Sequence, residues 1–304
     1  MYDLIIIGGG PAGVAAGIYA GRKKIKTLLI TDSFGGQSVV SAGIENWIGE
    51  KNISGFELAK KLENHLKAYP EIEILENDLV EKVEKIENGF KVLTKNQKNF
   101  ETKYVLVVSG SRRRKINVPG EKEFEGRGVF YCSICDAPLL KDKIATVIGG
   151  GNSGLEAVLD LLPYASKIYL LEFGDKLKGD PLTQEKIKAN SKVEIITQAQ
   201  TLEILGQEFV TGLKYKDRQN NEIKELKTDG VFVEIGSMPN SEMVKDFVEL
   251  NNFGEIKVDL KTGQTSYFGI WAAGDVTDRL YKQNNIAVGD AIVALLNIND
   301  QLNK

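Results

Sequence analysis

Segments 4–32 and 144–172 repeat one pattern: an apolar run, a glycine-rich turn, a helix-like stretch, a second apolar run and an acidic residue. In the first copy Leu4-Ile5-Ile6-Ile7 leads into Gly8-Gly9-Gly10-Pro11-Ala12-Gly13, then alanine-rich Val14 to Ala20, then Thr27 to Ile30 and Asp32. In the second, Ile144 to Ile148 leads into Gly149 to Gly154, then Leu155 to Leu162, Ile168 to Leu171 and Glu172. Short continuous apolar runs are the mark of strands buried on both faces. An isolated G-x-G-x-x-G is a weak signal, since many are only tight turns. Here each has a strand before it, a helix after it and an acid at the end of the second strand. A chain of 304 residues also exceeds what one hydrophobic core serves. The fold class expected is α/β, with two Rossmann-like, three-layer ββα nucleotide-binding domains.

The residue types fit that role. Gly8 and Gly10 permit the turn and a close backbone approach to a pyrophosphate, while Gly13 lets helix pack on strand. The helix that opens at Pro11 and Ala12 offers amides and a positive dipole end. Asp32, 19 residues beyond Gly13, is placed to accept from a ribose hydroxyl. Gly149, Gly151 and Gly154, with Asn152 and Ser153 between them, repeat the arrangement, and Glu172 lies 18 residues beyond Gly154. An acid there repels a 2′-phosphate, which favours NADH over NADPH. Lys176 and Lys178 pull the other way, unless they are only solvated loop lysines. Two units imply two dinucleotides, most simply a flavin and a nicotinamide. A third nucleotide element is Phe268 to Asp275, an apolar strand running into Gly274-Asp275. Such a carboxylate can reach a ribityl hydroxyl, although taken alone the pair reads as a turn.

Both cysteines of the chain fall in Tyr131-Cys132-Ser133-Ile134-Cys135-Asp136. A C-x-x-C pair is either redox-active or half a zinc site. Zinc needs about four ligands, and His65 is the only imidazole, so no metal site is expected and redox chemistry is. Asp136 is the natural acid/base for the thiols, or else a helix N-cap. The net charge of −3 gives no reason to expect nucleic acid or an anionic membrane as partner. No apolar run reaches transmembrane length, and Met1 to Ile7 lacks the features of a signal peptide. The expected location is cytoplasmic, where such a pair is more often catalytic than structural. Further elements expected are a helix at Glu57–Lys67, hairpins at Val80–Thr94 and Val210–Leu226, strands at Tyr104–Val108, Gly230–Ile235, Ile256–Leu260 and Gly269–Ala273, and a final helix at Ile286–Ile298.

Taken together these residues resemble the low-molecular-weight thioredoxin reductases, and even more the reductase portion of the alkyl hydroperoxide reductase F subunits. The likeness is carried by Ile7 to Gly13, Phe34-Gly35-Gly36-Gln37, Ile44-Glu45-Asn46-Trp47, Asn117 to Glu121, Gly128 to Asp136, Ile148 to Gly154, Leu170 to Phe173, Ala272 to Val276 and Tyr281-Lys282-Gln283. It implies an FAD domain built from residues 1–111 and 241–304, with an NAD(P)H domain carrying the cysteines, 112–240, inserted between. It assigns Gly36, Gln37, Asn46, Gly274, Asp275, Lys282 and Gln283 to the FAD site. It makes Cys135 the thiol facing the flavin, Cys132 the exchanging nucleophile and Asp136 the acid/base. It also implies a homodimer and rotation of the inserted domain about Arg112–Val118 and Gly236–Asn240. Leu171-Glu172-Phe173 replaces the basic cluster of NADPH-using members, and Ala137 replaces a usual glycine. The peroxide-linked relatives begin with a thioredoxin-fold extension, whereas this chain begins at the FAD strand. The expected partner is therefore a separate thioredoxin-like or glutaredoxin-like dithiol carrier, or a peroxiredoxin-linked one. Competing readings are a thiol or NADH oxidase, a ferredoxin-driven reductase, and a non-catalytic flavoprotein. The complete second glycine loop opposes the ferredoxin reading, and the intact Cys132, Cys135 and Asp136 oppose the non-catalytic one.

Overall fold

The computed structural model describes residues 1–41, 43, 44 and 46–304; Glu45 of the Ile44–Trp47 motif lies outside them. The chain forms two compact units, Met1–Arg112 with Met238–Lys304, and Arg113–Ser237. The division falls one residue after the first expected crossing and three before the second. Bonds within the first unit account for that. Arg112 donates to Asn240 Oδ1 at 2.7 Å and to Glu242 at 2.6 Å, and Ser109 Oγ donates to the Asn240 carbonyl at 2.6 Å.

In the first unit, seven strands make one sheet in the order Ile72–Leu75, Thr27–Ile30, Tyr2–Ile7, Asn99–Val107, Gly89–Thr94, Val80–Ile86, with Ile270–Ala272 also pairing to Asn99–Val107. Neighbours among Ile72–Leu75, Thr27–Ile30, Tyr2–Ile7, Asn99–Val107 and Ile270–Ala272 run parallel, while Val80–Ile86 and Gly89–Thr94 form the antiparallel hairpin. The Leu4–Ile7 run is apolar throughout because both faces are covered. Leu4 and Ile6 pack with the helices Pro11–Arg22 and Asn284–Leu302, while Ile5 and Ile7 pack on the other face with Val83, Phe90 and Val92. Each such buried side chain contributes roughly 2 kcal/mol. Trp271 is fully buried on the helical face, and its indole N–H is satisfied by Asn297 Oδ1 at 3.0 Å. The helix Gly55–Lys67 starts with a capping box, Ser54 and Glu57 bonding each other's backbone amides.

The second unit repeats the layering. Its parallel sheet runs Val193–Ile196, Lys167–Leu171, Ile144–Ile148, Gly230–Val233, Val129–Phe130. Ala145, Val147, Leu170 and Phe232 face the helix Asn152–Leu161. Ile148, Leu171, Val231 and Val233 face an antiparallel sheet of Ala199–Gly206, Val210–Asp217 and Ile223–Lys227 through Ile204, Leu213 and Tyr215. Two expectations need correction. Ile256–Leu260 is not a strand: its amides find separate partners, Ile256 on Val276, Lys257 on Glu249 and Asp259 on Gln264, so no ladder forms. The last helix spans Asn284–Leu302, longer at both ends than expected.

Candidate active site

Each glycine loop turns from strand to helix by the same contacts. Gly8 has φ +123°, and a Cβ there would strike the Val108 carbonyl; a Cβ on Gly13 would strike the carbonyl of Gly8. Gly149 has φ +117°, with the Glu234 carbonyl in the same blocking place, and Gly154 abuts the Gly149 carbonyl. These positions are closed to any side chain. Gly10 and Gly151 are the opposite: a Cβ on Gly10 would meet nothing nearer than Gly36 Cα at 3.9 Å, and one on Gly151 nothing within 4 Å. The helices that follow, Pro11–Arg22 and Asn152–Leu161, have no acid in the first turn and no side-chain cap. Gly55–Lys67 and Pro181–Lys188, by contrast, are capped by Ser54 and Asp180. Open glycine ground before an uncapped helix start suits a pyrophosphate, whose oxygens take the orphan amides.

Around the first loop, the expected residues converge within one unit. Gly36 (φ +57°) lies against Gly10, and Gln37 Nε2 donates to Ser111 Oγ at 3.0 Å. Asn46 Nδ2 donates to Gln283 Oε1 at 3.1 Å, and the Asn46 carbonyl accepts from Asn285 at 2.7 Å. Gly274 (φ +74°) sits beside Ala12 and Ala287, so Asp275 stands where the first helix and the last one both begin. Asp32 is exposed at the end of its strand. The Lys282 ammonium is committed to Glu255 at 2.9 Å and to the Thr277 carbonyl. Ser38 with Asn284 (2.9 Å), Ser111 and Glu255 escaped the sequence reading, being polar residues without a motif.

In the second unit the glycine loop and the cysteines open from the same end of one sheet, with only Gly230–Val233 between their strands. At about 4.8 Å per strand, the two segments start roughly 10 Å apart. Cys132 and Cys135 form a disulfide with Cα atoms 5.4 Å apart, carried by the one-turn helix Ser133–Asp136. Ile134 between them is exposed. Asp136 follows directly, and burial pushes its carboxyl up to about 6. It takes the N-cap position of the turn Ala137–Leu140 without a side-chain capping bond, so capping is not what its carboxylate does. Glu172 is buried, accepting the amides of Gly150 and Gly174, each at 2.7 Å. Asn152 Oδ1 holds the Asp180 amide at 2.8 Å, and Ser153 is exposed. Tyr131 donates to Glu121 at 3.1 Å, and Glu121 also takes the amides of Ile116 and Asn117. Among the described residues no cluster of three or more His, Cys, Asp or Glu could hold a metal. No described helix is long and apolar enough to cross a membrane.

A family described as pyridine nucleotide-disulphide oxidoreductase matches residues 2–291. The chain belongs to that family. The alkyl hydroperoxide reductase F subunit (Pseudomonas putida) is 45% identical over 304 residues, covering 99% of this chain; the chain spans 58% of that protein's length. The thioredoxin reductase of Streptococcus pyogenes MGAS5005 superposes with a TM-score of 0.84 at 34% identity, covering 100% of this chain and 98% of the other. That of Giardia duodenalis gives 0.85 at 28% identity, with coverage of 100% and 99%. A pyridine nucleotide-disulphide oxidoreductase takes FAD and a pyridine nucleotide, and the two open glycine loops fit both.

Proposed function

We propose that the chain is a disulfide reductase of the thioredoxin reductase type, taking electrons from NADH and delivering them to a thioredoxin-like or glutaredoxin-like carrier. The observation that carries this reading is the Cys132–Cys135 disulfide at the sheet end that also bears the second glycine loop. FAD, held by Gly8–Gly13, Gly36, Gln37, Asn46, Asp275 and the start of the last helix, would supply the two-electron relay. Once the pair is a dithiol, the thiolate of Cys132 attacks one sulfur of the carrier disulfide, and the departing carrier thiolate takes a proton from the Asp136 carboxyl. Cys135 then attacks the Cys132 sulfur of the mixed disulfide, which releases the second carrier thiol and restores the Cys132–Cys135 bond. The carrier gains two electrons and two protons; the pair loses two electrons. A carboxyl raised to about 6 keeps more of its acid form near neutrality than an ordinary aspartate. The coenzyme loop and the disulfide share one unit, so alternate access by reorientation about its two crossings belongs to the proposal. Homodimerisation belongs to it too, and a mass measurement in solution tests that.

NADH is favoured because an acid, Glu172, ends the second strand, and its neighbours Leu171 and Phe173 are apolar. The test is an anaerobic titration of the FAD-loaded protein with NADH and with NADPH, followed by reduction of candidate carriers. C132S and C135S should each abolish carrier reduction while FAD stays bound. Undiminished carrier reduction in either variant would remove the proposal. Rapid NADH consumption in air without a carrier would replace it with an oxidase.

A further inference from the structure

The one strand between the coenzyme loop and the cysteines, Gly230–Val233, is followed directly by Glu234. The Glu234 amide donates to the Ile148 carbonyl at 2.8 Å, and its own carbonyl is the wall that Gly149 abuts. On the other side, continuing the register of Val231 with Val129 and Phe232 with Phe130 sets Glu234 level with Cys132. The side chain is 7% exposed. The backbone amide of Ser133, the residue after Cys132, lies near enough to favour the charged form of this carboxyl. Ser133 is held by its hydroxyl, which donates to Asp160 at 2.7 Å. The other charged groups facing the Glu234 carboxylate are Arg113, where the chain enters the unit, and Glu156 and Asp160 on the helix Asn152–Leu161. Asp136 lies on the cysteine helix itself. Burial first, and then the two helix carboxylates, push Glu234 up to about 7, against the pull of Arg113 and the Ser133 amide. Nothing in the exchange chemistry above uses this group, and a buried acid at the mouth of an apolar strand is costly without a role.

We propose that Glu234 is a positioning residue for disulfide exchange: its buried carboxylate lies near the Ser133 amide and, while ionised, holds the adjacent Cys132 thiol in its protonated, unreactive form. Two neighbouring anions in a partly dry site disfavour each other. Glu234 and Cys132 therefore titrate as a pair, and a Cys132 thiolate forms more readily once Glu234 has taken up a proton. This rests on the reading of Cys132 as the exchanging thiol, but its test needs neither carrier nor turnover. The chain has two cysteines, so C135S leaves Cys132 as the only thiol. Its alkylation by iodoacetamide is followed from pH 5.5 to 9.5 in the full, FAD-loaded protein.

In the C135S parent the rate should rise over a wider pH span than a single ionisation gives. Adding E234Q keeps an oxygen near the Ser133 amide and removes the charge. The curve should sharpen to one proton, its midpoint should fall by about one pH unit, and the rate at pH 7 should rise about twofold. E234A, which also loses that oxygen, should share the shift. A one-proton curve in the parent overturns the proposal even if neither Glu234 variant folds. So does an E234Q curve that superimposes on the parent, or a change confined to E234A, which would make Glu234 mere packing. Failure of the functional reading shows elsewhere, as carrier reduction that survives C132S.

Discussion

Replacing Asp136 by asparagine should make the protein more stable and a far poorer catalyst at the same time. Burial raises this carboxyl from 3.8 to about 6. The folded state thus binds the proton more tightly than the unfolded chain does. Between about pH 4 and 6 unfolding releases a proton, so the Asp136 contribution to stability falls as pH rises; above pH 6 the penalty is complete. The difference, 6 − 3.8 = 2.2, corresponds to about 3 kcal/mol at 1.36 kcal/mol per unit. The group is partly exposed, and solvent screening cuts this by about half, to roughly 1.5 kcal/mol. D136N, neutral at every pH, should therefore exceed the parent by about 1.5 kcal/mol at pH 8 and match it at pH 3.5. Urea unfolding at saturating FAD, with midpoints and slopes compared at the two pH values, measures this. Carrier reduction should fall by about 100-fold, the usual worth of a positioned acid. A variant that is no more stable at pH 8 than its parent refutes the burial argument, and one that reduces carrier at full rate refutes the acid/base role.

Gly13→Val places a side chain against the Gly8 carbonyl; overpacking of about 1–3 kcal/mol should weaken FAD binding about 10- to 100-fold, read from flavin absorbance on titration. Glu121→Ala strands the Ile116 and Asn117 amides and the Tyr131 hydroxyl, and denaturation should show a loss of about 2–4 kcal/mol, with E121Q intermediate. Ser54→Ala removes a capping box and should cost about 1 kcal/mol, with carrier reduction unchanged; a stability loss above that range would show that Ser54 does more than cap its helix.

What the sequence made legible was whatever depends on backbone. The two glycine loops were legible as strand-to-helix turns because only glycine survives against the carbonyls of Val108, Gly8, Glu234 and Gly149. Leu4–Ile7 read as a strand because a strand covered on both faces needs apolar side chains throughout, and Ile144–Ile148 follows the same rule with Thr146 as its one polar residue. The Val193–Ile196 and Ala199–Gly206 strands were missed: charged and polar residues interrupt them, and the first pairs with Lys167–Leu171, more than twenty residues back along the chain, while the second pairs with Val210–Asp217 across a three-residue turn. Site partners fared the same way. Asn46 was visible through its motif, but its bond to Gln283 spans 237 residues and has no local trace. Lys282 was visible through its motif, but its pairing with Glu255, a residue with no motif around it, was not. Glu234 did leave a trace, one acid ending the apolar run Gly230–Val233, and it passed unread because that run was treated only as a strand.

The pairing of Ile270–Ala272 with Val105–Val107 has a consequence for how the protein is made. From residue 107 to residue 272 is 165 positions, and at roughly 5–20 residues per second a ribosome needs roughly ten to thirty seconds to cover them. Throughout that interval the last third of a central strand, Val105–Val107, has a bare edge, while Arg113–Ser237 is made within it and can fold as an unbroken piece. The nascent chain completes its insert before its frame, and a chaperone that guards the waiting edge is the helper such a synthesis calls for.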